Sequence, residues 1–190
     1  MTFVRSAIFV LAAASIALVP IAASAQPEHG VSFDAVFSLR TGEGGIYTNR
    51  NGFTLELTGM LPLRQTSAGT FVGGLTTGAQ SPVWKKPPCL IDRDGYCAPP
   101  FPGMIFIGGL WGIERGSRSS GSARAVAGPF YYSMFLGGLK GVGVQGRLDL
   151  ATRARGRVAL VASLRQAVFP SVRGEVLGVT SVGAGVRIHR

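Results

Sequence analysis

Acidic residues are scarce in this chain of 190 residues: nine Asp and Glu stand against nineteen Lys and Arg, for a formal charge of +10. A basic balance points to nucleic acid or an anionic surface. The chain lacks what a nucleic-acid binder would add, since it has no basic helix and no run of adjacent cations beyond Lys85-Lys86. Histidine is scarcer still. His29 and His189 are the two present, and no H-x-S or G-x-S-x-G pattern accompanies them, so Ser-His-acid catalysis has no local signature and no enzymatic activity is expected. Cysteine is limited to Cys89 and Cys97. No histidine or third cysteine lies nearby, so a metal centre is not expected. After the first 25 residues no segment holds 18 consecutive apolar residues, which excludes transmembrane helices.

What is present begins with an export signal. Arg5 supplies a positive start, residues 8–21 an apolar core, and Ala23-Ser24-Ala25 a small-residue cleavage pattern. Removal of residues 1–25 is expected, leaving a single domain over 26–190 with a charge of +9. In an exported chain Cys89 and Cys97 are expected to form a disulfide. No cysteine stands near the cleavage site, so lipid modification of the new N-terminus is not expected. Glycine is abundant at 28, and many glycines sit inside apolar runs, which suits curved strands better than helices, where each costs about 1 kcal/mol.

The dominant pattern is strict alternation. Val158, Leu160, Ala162 and Leu164 alternate with Ala159, Val161, Ser163 and Arg165, with Arg157 in phase with the second set. Val182, Ala184, Val186 and Ile188 likewise alternate with Gly183, Gly185, Arg187 and His189. Successive side chains on a strand point to opposite faces. Each segment therefore has one apolar face and one face of small residues and arginines. Six more strands read the same way: 31–40, 53–58 continuing loosely past Gly59 and Pro62, 70–80, 104–115, 123–132 and 141–151. The strand at 104–115 is apolar on both faces, and Glu114 sets its phase, with Ile105, Ile107, Trp111 and Ile113 outward.

Eight strands of roughly ten residues are an even number and long enough to cross a bilayer at a tilt. Connections after strands two, four and six are short, those after one and three long, and those after five and seven intermediate. The longest, 81–103, holds six prolines and both cysteines. Short turns on the periplasmic side and longer loops outside are the outer-membrane arrangement. Phe53, Trp84, Phe101, Tyr131, Tyr132, Phe135 and Phe169 are then expected in an external aromatic belt, and Phe33, Phe71 and Trp111 in a periplasmic one.

In a bilayer the polar face lines the lumen. It collects Asp34, Arg40, Glu56, Glu114, Arg124, Arg147, Asp149, Arg157, Arg165 and Arg187. Eight strands enclose an interior that side chains just fill, and charges there must be paired. A plugged lumen of Arg–carboxylate pairs is expected, with Asp34, Glu56 and Asp149 as main acceptors.

This combination of signal, eight alternating strands, polar lumen and loop pattern resembles the small outer-membrane β-barrel family of Gram-negative bacteria, over residues 31–190. The resemblance implies an all-β, eight-stranded antiparallel up-and-down transmembrane barrel in the cell outer membrane, as a monomer, with a structural or loop-mediated adhesive role. It implies outer-membrane lipids and the insertion machinery as partners, although Ile188-His189-Arg190 stands where members often end in an aromatic. Lys85, Lys86 and Arg93 in the long loop are candidates for lipopolysaccharide phosphates.

Two other readings compete. A secreted, lipocalin-like barrel would turn Leu55, Leu57, Val158, Leu160 and Leu164 into an apolar cavity. A lipid-modifying barrel enzyme would bring His189 to a serine and a carboxylate. Two further motifs carry little. Residues 141–146 match G-x-G-x-x-G but lie inside an alternating strand with no following helix, so no nucleotide or other cofactor is expected. Asp92-Arg93-Asp94-Gly95 starts like a calcium loop but lacks the later ligands, and a disulfide-clasped turn accounts for it.

Overall fold

A computed structural model describes residues 30–43, 52–81, 103–134, 140–172 and 175–190, with backbone alone at 40–43, 170–172 and 175–177. The signal segment and the long loop with Lys85, Lys86, Cys89, Arg93 and Cys97 lie outside the described residues.

Eight strands form one closed antiparallel barrel in simple chain order: β1 (Ser32–Glu43), β2 (Gly52–Thr66), β3 (Gly69–Gln80), β4 (Met104–Ser117), β5 (Gly121–Met134), β6 (Lys140–Ala151), β7 (Val158–Val172) and β8 (Glu175–His189). Closure comes from β1 pairing with β8, which sets Asp34 opposite Arg187 and Phe37 opposite Ala184. It leaves no strand edge open.

Every strand runs longer than its alternation suggests. The extension is largest where β2 absorbs Pro62, which has no N–H to give the ladder. The β2–β3 register shifts between Pro62 and Arg64, and the bulge lets the strand continue to Thr66. Pro129 is accommodated differently. The β4–β5 pairing leaves a gap after Gly108↔Phe130 and resumes in register at Trp111↔Ala127, with the proline on the exposed outer face.

The β2–β3, β4–β5 and β6–β7 turns share one end of the barrel, which we call the short-turn end. The connections over 44–51, 81–103, 135–139 and 173–174 share the other. The last is shorter than expected because β7 and β8 continue to Val172 and Glu175. Gly156, in the β6–β7 turn, has φ 64°, a left-handed conformation that residues with a Cβ rarely adopt.

The barrel is inverted relative to a soluble protein. Leu55, Leu57, Val158, Leu160 and Leu164 are 37–63 % exposed on the outside. Inside, Asp34, Arg124, Arg147, Asp149 and Arg187 are no more than 3 % exposed. The lipocalin-like cavity is therefore absent, because the apolar face that would line it points outward. On that outer face Trp111 lies across glycine rather than against bulky neighbours: a Cβ on Gly109 would come within 2.6 Å of its ring.

Two inner clusters explain why β4 is apolar on both faces. Met60, Val72, Leu110 and Val126 form one, and Met104, Phe106, Phe130, Tyr132, Met134, Ala167, Phe169 and Val179 the other. Tyr132 and Phe169 thus correct the expected belt. Both fall in the inward phase of their strands and pack edge-on at 5.0 Å between ring centroids, instead of facing outward. Phe33, Phe71, Trp111 and Tyr131 do lie on the outer face, while Trp84, Phe101 and Phe135 lie outside the described residues.

Candidate functional site

The barrel interior is layered along its axis. Charged residues share the half nearer the short turns with the Met60–Val72–Leu110–Val126 cluster, and the aromatic cluster fills the half nearer the long connections. Inward phase and strand position together place each group. β1 contributes Asp34, β2 Glu56, β4 Glu114, β5 Arg124, β6 Arg147 and Asp149, β7 Arg165 and β8 Arg187.

Asp34 is the hub. Arg187 donates to it twice, from Nε to Oδ1 at 2.8 Å and from Nη2 to Oδ2 at 3.0 Å. Arg124 Nη1 donates to Oδ2 at 2.9 Å and Arg147 Nη2 at 3.2 Å. One carboxylate with no exposed side-chain surface thus meets three guanidiniums. The fork geometry of arginine permits this sharing, where a lysine would offer only a point charge.

The other three acids distribute the remaining positive charge. Glu114 accepts from Arg124 Nη2 and from Arg187 Nη1, each at 2.9 Å, and from Ser122 Oγ at 2.8 Å. Asp149 accepts from Arg147 Nη2 and from Ser163 Oγ, both at 2.8 Å. Glu56 accepts from Arg147 Nη1 at 2.6 Å and Thr76 Oγ1 at 2.7 Å. Burying ions is costly unless partners and further hydrogen bonds replace water, and Ser32, Thr58, Thr76, Ser122 and Ser163 supply those further bonds. The spacing of charges in the sequence gives no hint of these neutral partners. Their signal is their inward phase on the same strands.

Arg165 joins the two layers. Its Nε donates to Gln145 Oε1 at 2.7 Å, Nη1 lies 3.6 Å from Glu56 Oε2, and the guanidinium carbon sits 4.2 Å from the centroid of the Phe106 ring. A cation over an aromatic face is attracted by the ring's quadrupole. Beyond it the rings rest on glycine. A Cβ on Gly143 would approach Phe130 Cζ to 2.5 Å and Val168 O to 2.7 Å, and one on Gly78 would approach Phe106 Cζ to 2.6 Å. Gly143→Ala is expected to cost about 1–3 kcal/mol through overpacking, read as a lower midpoint of thermal unfolding in detergent. A midpoint equal to that of the parent would mean that Phe130 does not occupy this space.

Arg157 is the misplaced member of the expected set. It is exposed in the β6–β7 turn, because β7 begins one residue later at Val158. Alternation puts it in phase with Arg165, but the β7–β8 register starts at Val158, and at Arg157 only the carbonyl still meets β8, accepting from His189 N at 2.8 Å. The side chain of Arg40 lies outside the described residues; its backbone pairs with Gly52 and Ser181. Arg124, in contrast, is a full member, 2 % exposed and bound to both Asp34 and Glu114.

Among the described residues the lumen arrangement is one of electrostatic filling. His189 shares the short-turn mouth with Ser32, Ser117, Ser122 and Glu114, yet Ser122 and Glu114 are held by Arg124 and Arg187. Among the described residues no serine–histidine–carboxylate chain forms. Nor are three His, Cys, Asp or Glu side chains grouped there to hold a metal ion.

The chain matches no protein-family model and no curated protein sequence. Among solved structures it is similar to Neisserial surface protein A, with a TM-score of 0.64, 15% identity, and 85% of this chain and 97% of that chain covered. Ail, the attachment invasion locus protein of Yersinia pestis, follows with a TM-score of 0.49, 13% identity, and coverage of 84% and 99%. At such identities the likeness is one of fold. The chain has the architecture of the small eight-stranded outer-membrane β-barrels, all-β, antiparallel and up-and-down.

Proposed function

We propose that this chain is a monomeric outer-membrane barrel with a plugged lumen, whose long-connection end works outside the cell in a structural or adhesive role. The observation that carries the reading is the inversion of the two faces. An apolar outer wall is unfavourable in water and favourable in lipid, while Asp34, Glu56, Glu114 and Asp149 with their arginines fill the interior. Residues 1–25 direct export and are removed. The short turns then face the periplasm, and the insertion machinery and outer-membrane lipids are the partners.

Paired charges at one level and edge-packed rings at another plug the lumen, and the protein works as a structural or binding barrel and not as an enzyme. The loop at 81–103, clasped by Cys89 and Cys97, presents Lys85, Lys86 and Arg93 to lipopolysaccharide phosphates. Fractionation of expressing cells followed by a gel run with and without boiling tests the reading. The protein is expected in the outer-membrane fraction, with the unboiled form running faster. Release by salt or alkaline washing, with identical migration of both samples, would overturn it.

A further inference from the structure

We propose that the arginine collar at the short-turn end is a binding surface for the phosphates of anionic phospholipids in the adjacent leaflet. This rests on the membrane placement proposed above. Arg64, Arg153, Arg155 and Arg157 are exposed, on β2 and the β6–β7 turn, and Arg118 adds a partly exposed cation from the β4–β5 turn. Three of these five cations crowd the β6–β7 turn, and Arg64 and Arg118 extend the positive charge to β2 and the β4–β5 turn.

Height identifies the ligand. Arg64 directly follows Leu63, which is 54 % exposed on the outer wall, and Arg157 directly precedes Val158, which is 45 % exposed. A strand rises about 3.3 Å per residue, so these guanidiniums stand at the rim of the apolar girdle, where lipid phosphates lie. Long cationic side chains at such a rim reach from the apolar wall to the interface.

Among the described residues no Asp or Glu side chain faces the collar to neutralise it. Asp34, Glu56, Glu114 and Asp149 all point into the barrel and are engaged there. Among the described residues Arg64, Arg153, Arg155 and Arg157 make no ion pair, and Lys140 is the exposed cation described at the opposite end. The turns are nevertheless fixed to one another. Ala154 N donates to Arg118 O at 2.8 Å, Arg118 Nη2 to Arg190 O at 3.0 Å, and Arg115 Nε to Ala68 O. Like charges held close without counter-charges repel, and an anionic leaflet supplies the missing partner at about the depth where each arginine sits.

Trp111 offers an internal reporter, because it faces outward on the half of β4 nearer the collar and is 48 % exposed. The chain's other tryptophan, Trp84, is removed by Trp84→Phe. The full barrel is placed in vesicles containing brominated phosphatidylglycerol or brominated phosphatidylcholine, and quenching of Trp111 gives the relative affinity for the two lipids. At low salt a preference of about two- to fivefold for phosphatidylglycerol is expected, falling to near unity at about 0.5 M salt. The same loss is expected in the variant carrying Arg64→Gln, Arg153→Gln, Arg155→Gln and Arg157→Gln.

Equal preference in parent and variant overturns the proposal but leaves the barrel in lipid intact, since brominated phosphatidylcholine still quenches. Absence of quenching by either lipid removes the membrane reading itself. A parent with no lipid preference that co-sediments with isolated peptidoglycan overturns the proposal in favour of cell-wall carboxylates.

Discussion

Asp34→Ala is expected to lower the unfolding free energy by about 3–5 kcal/mol, the cost of leaving buried charge without its partner. Among the described residues Asp34 is the one carboxylate that meets three guanidiniums, from Arg124, Arg147 and Arg187. Its loss leaves Arg187 bonded to Glu114 and Ser122, while Arg147 keeps Glu56 and Asp149. The layer would then hold a net positive charge that its remaining acids cannot match. Urea unfolding in detergent, followed on gels by the fraction of heat-modifiable protein, measures the change. Arg157→Gln is the control, since an exposed turn residue with no ion pair is expected to change stability by less than about 0.5 kcal/mol. A loss under about 1 kcal/mol for Asp34→Ala would mean that the ions are well hydrated and that the layer is not a dry plug.

The second large effect concerns the outer wall. Leu57→Arg places a charge on the outward face of β2, at a position 52 % exposed and flanked across the strands by Ala35 and Thr77. In a bilayer such a charge costs about 2–4 kcal/mol near the midplane and about 0–1 kcal/mol near the interface. Leu63→Arg, beside Arg64 at the rim, should therefore be tolerated far better than Leu57→Arg. Folding into lipid vesicles at a series of urea concentrations gives both numbers. Equal effects at the two positions would argue against a lipid-covered wall, since in a soluble barrel both sites simply face water.

Much of the architecture is legible locally. Alternation is a period-two signal carried by each strand separately, so Leu55, Glu56 and Leu57 reveal their faces without knowledge of any partner. Phase also assigns Arg124, Arg147, Arg165 and Arg187 to the interior, because a strand cannot turn one residue over without turning all of them. The limit of that logic shows at Arg157, which keeps the right parity but stands beyond the end of the ladder, and at Tyr132 and Phe169. Height along the strand alone puts those two rings in a belt, whereas their parity points them inward.

Strand number, the parity of each alternating run and hence the inverted barrel depend only on local spacing and can be read strand by strand. The partners inside were decided by the tertiary structure alone. Asp34 and Arg187 are 153 residues apart, and they meet because β8 closes against β1. Arg124 reaches Asp34 across the lumen from β5. Which side chains share a level depends on the tilt and stagger of all eight strands together, a property of the closed ring that no single strand carries.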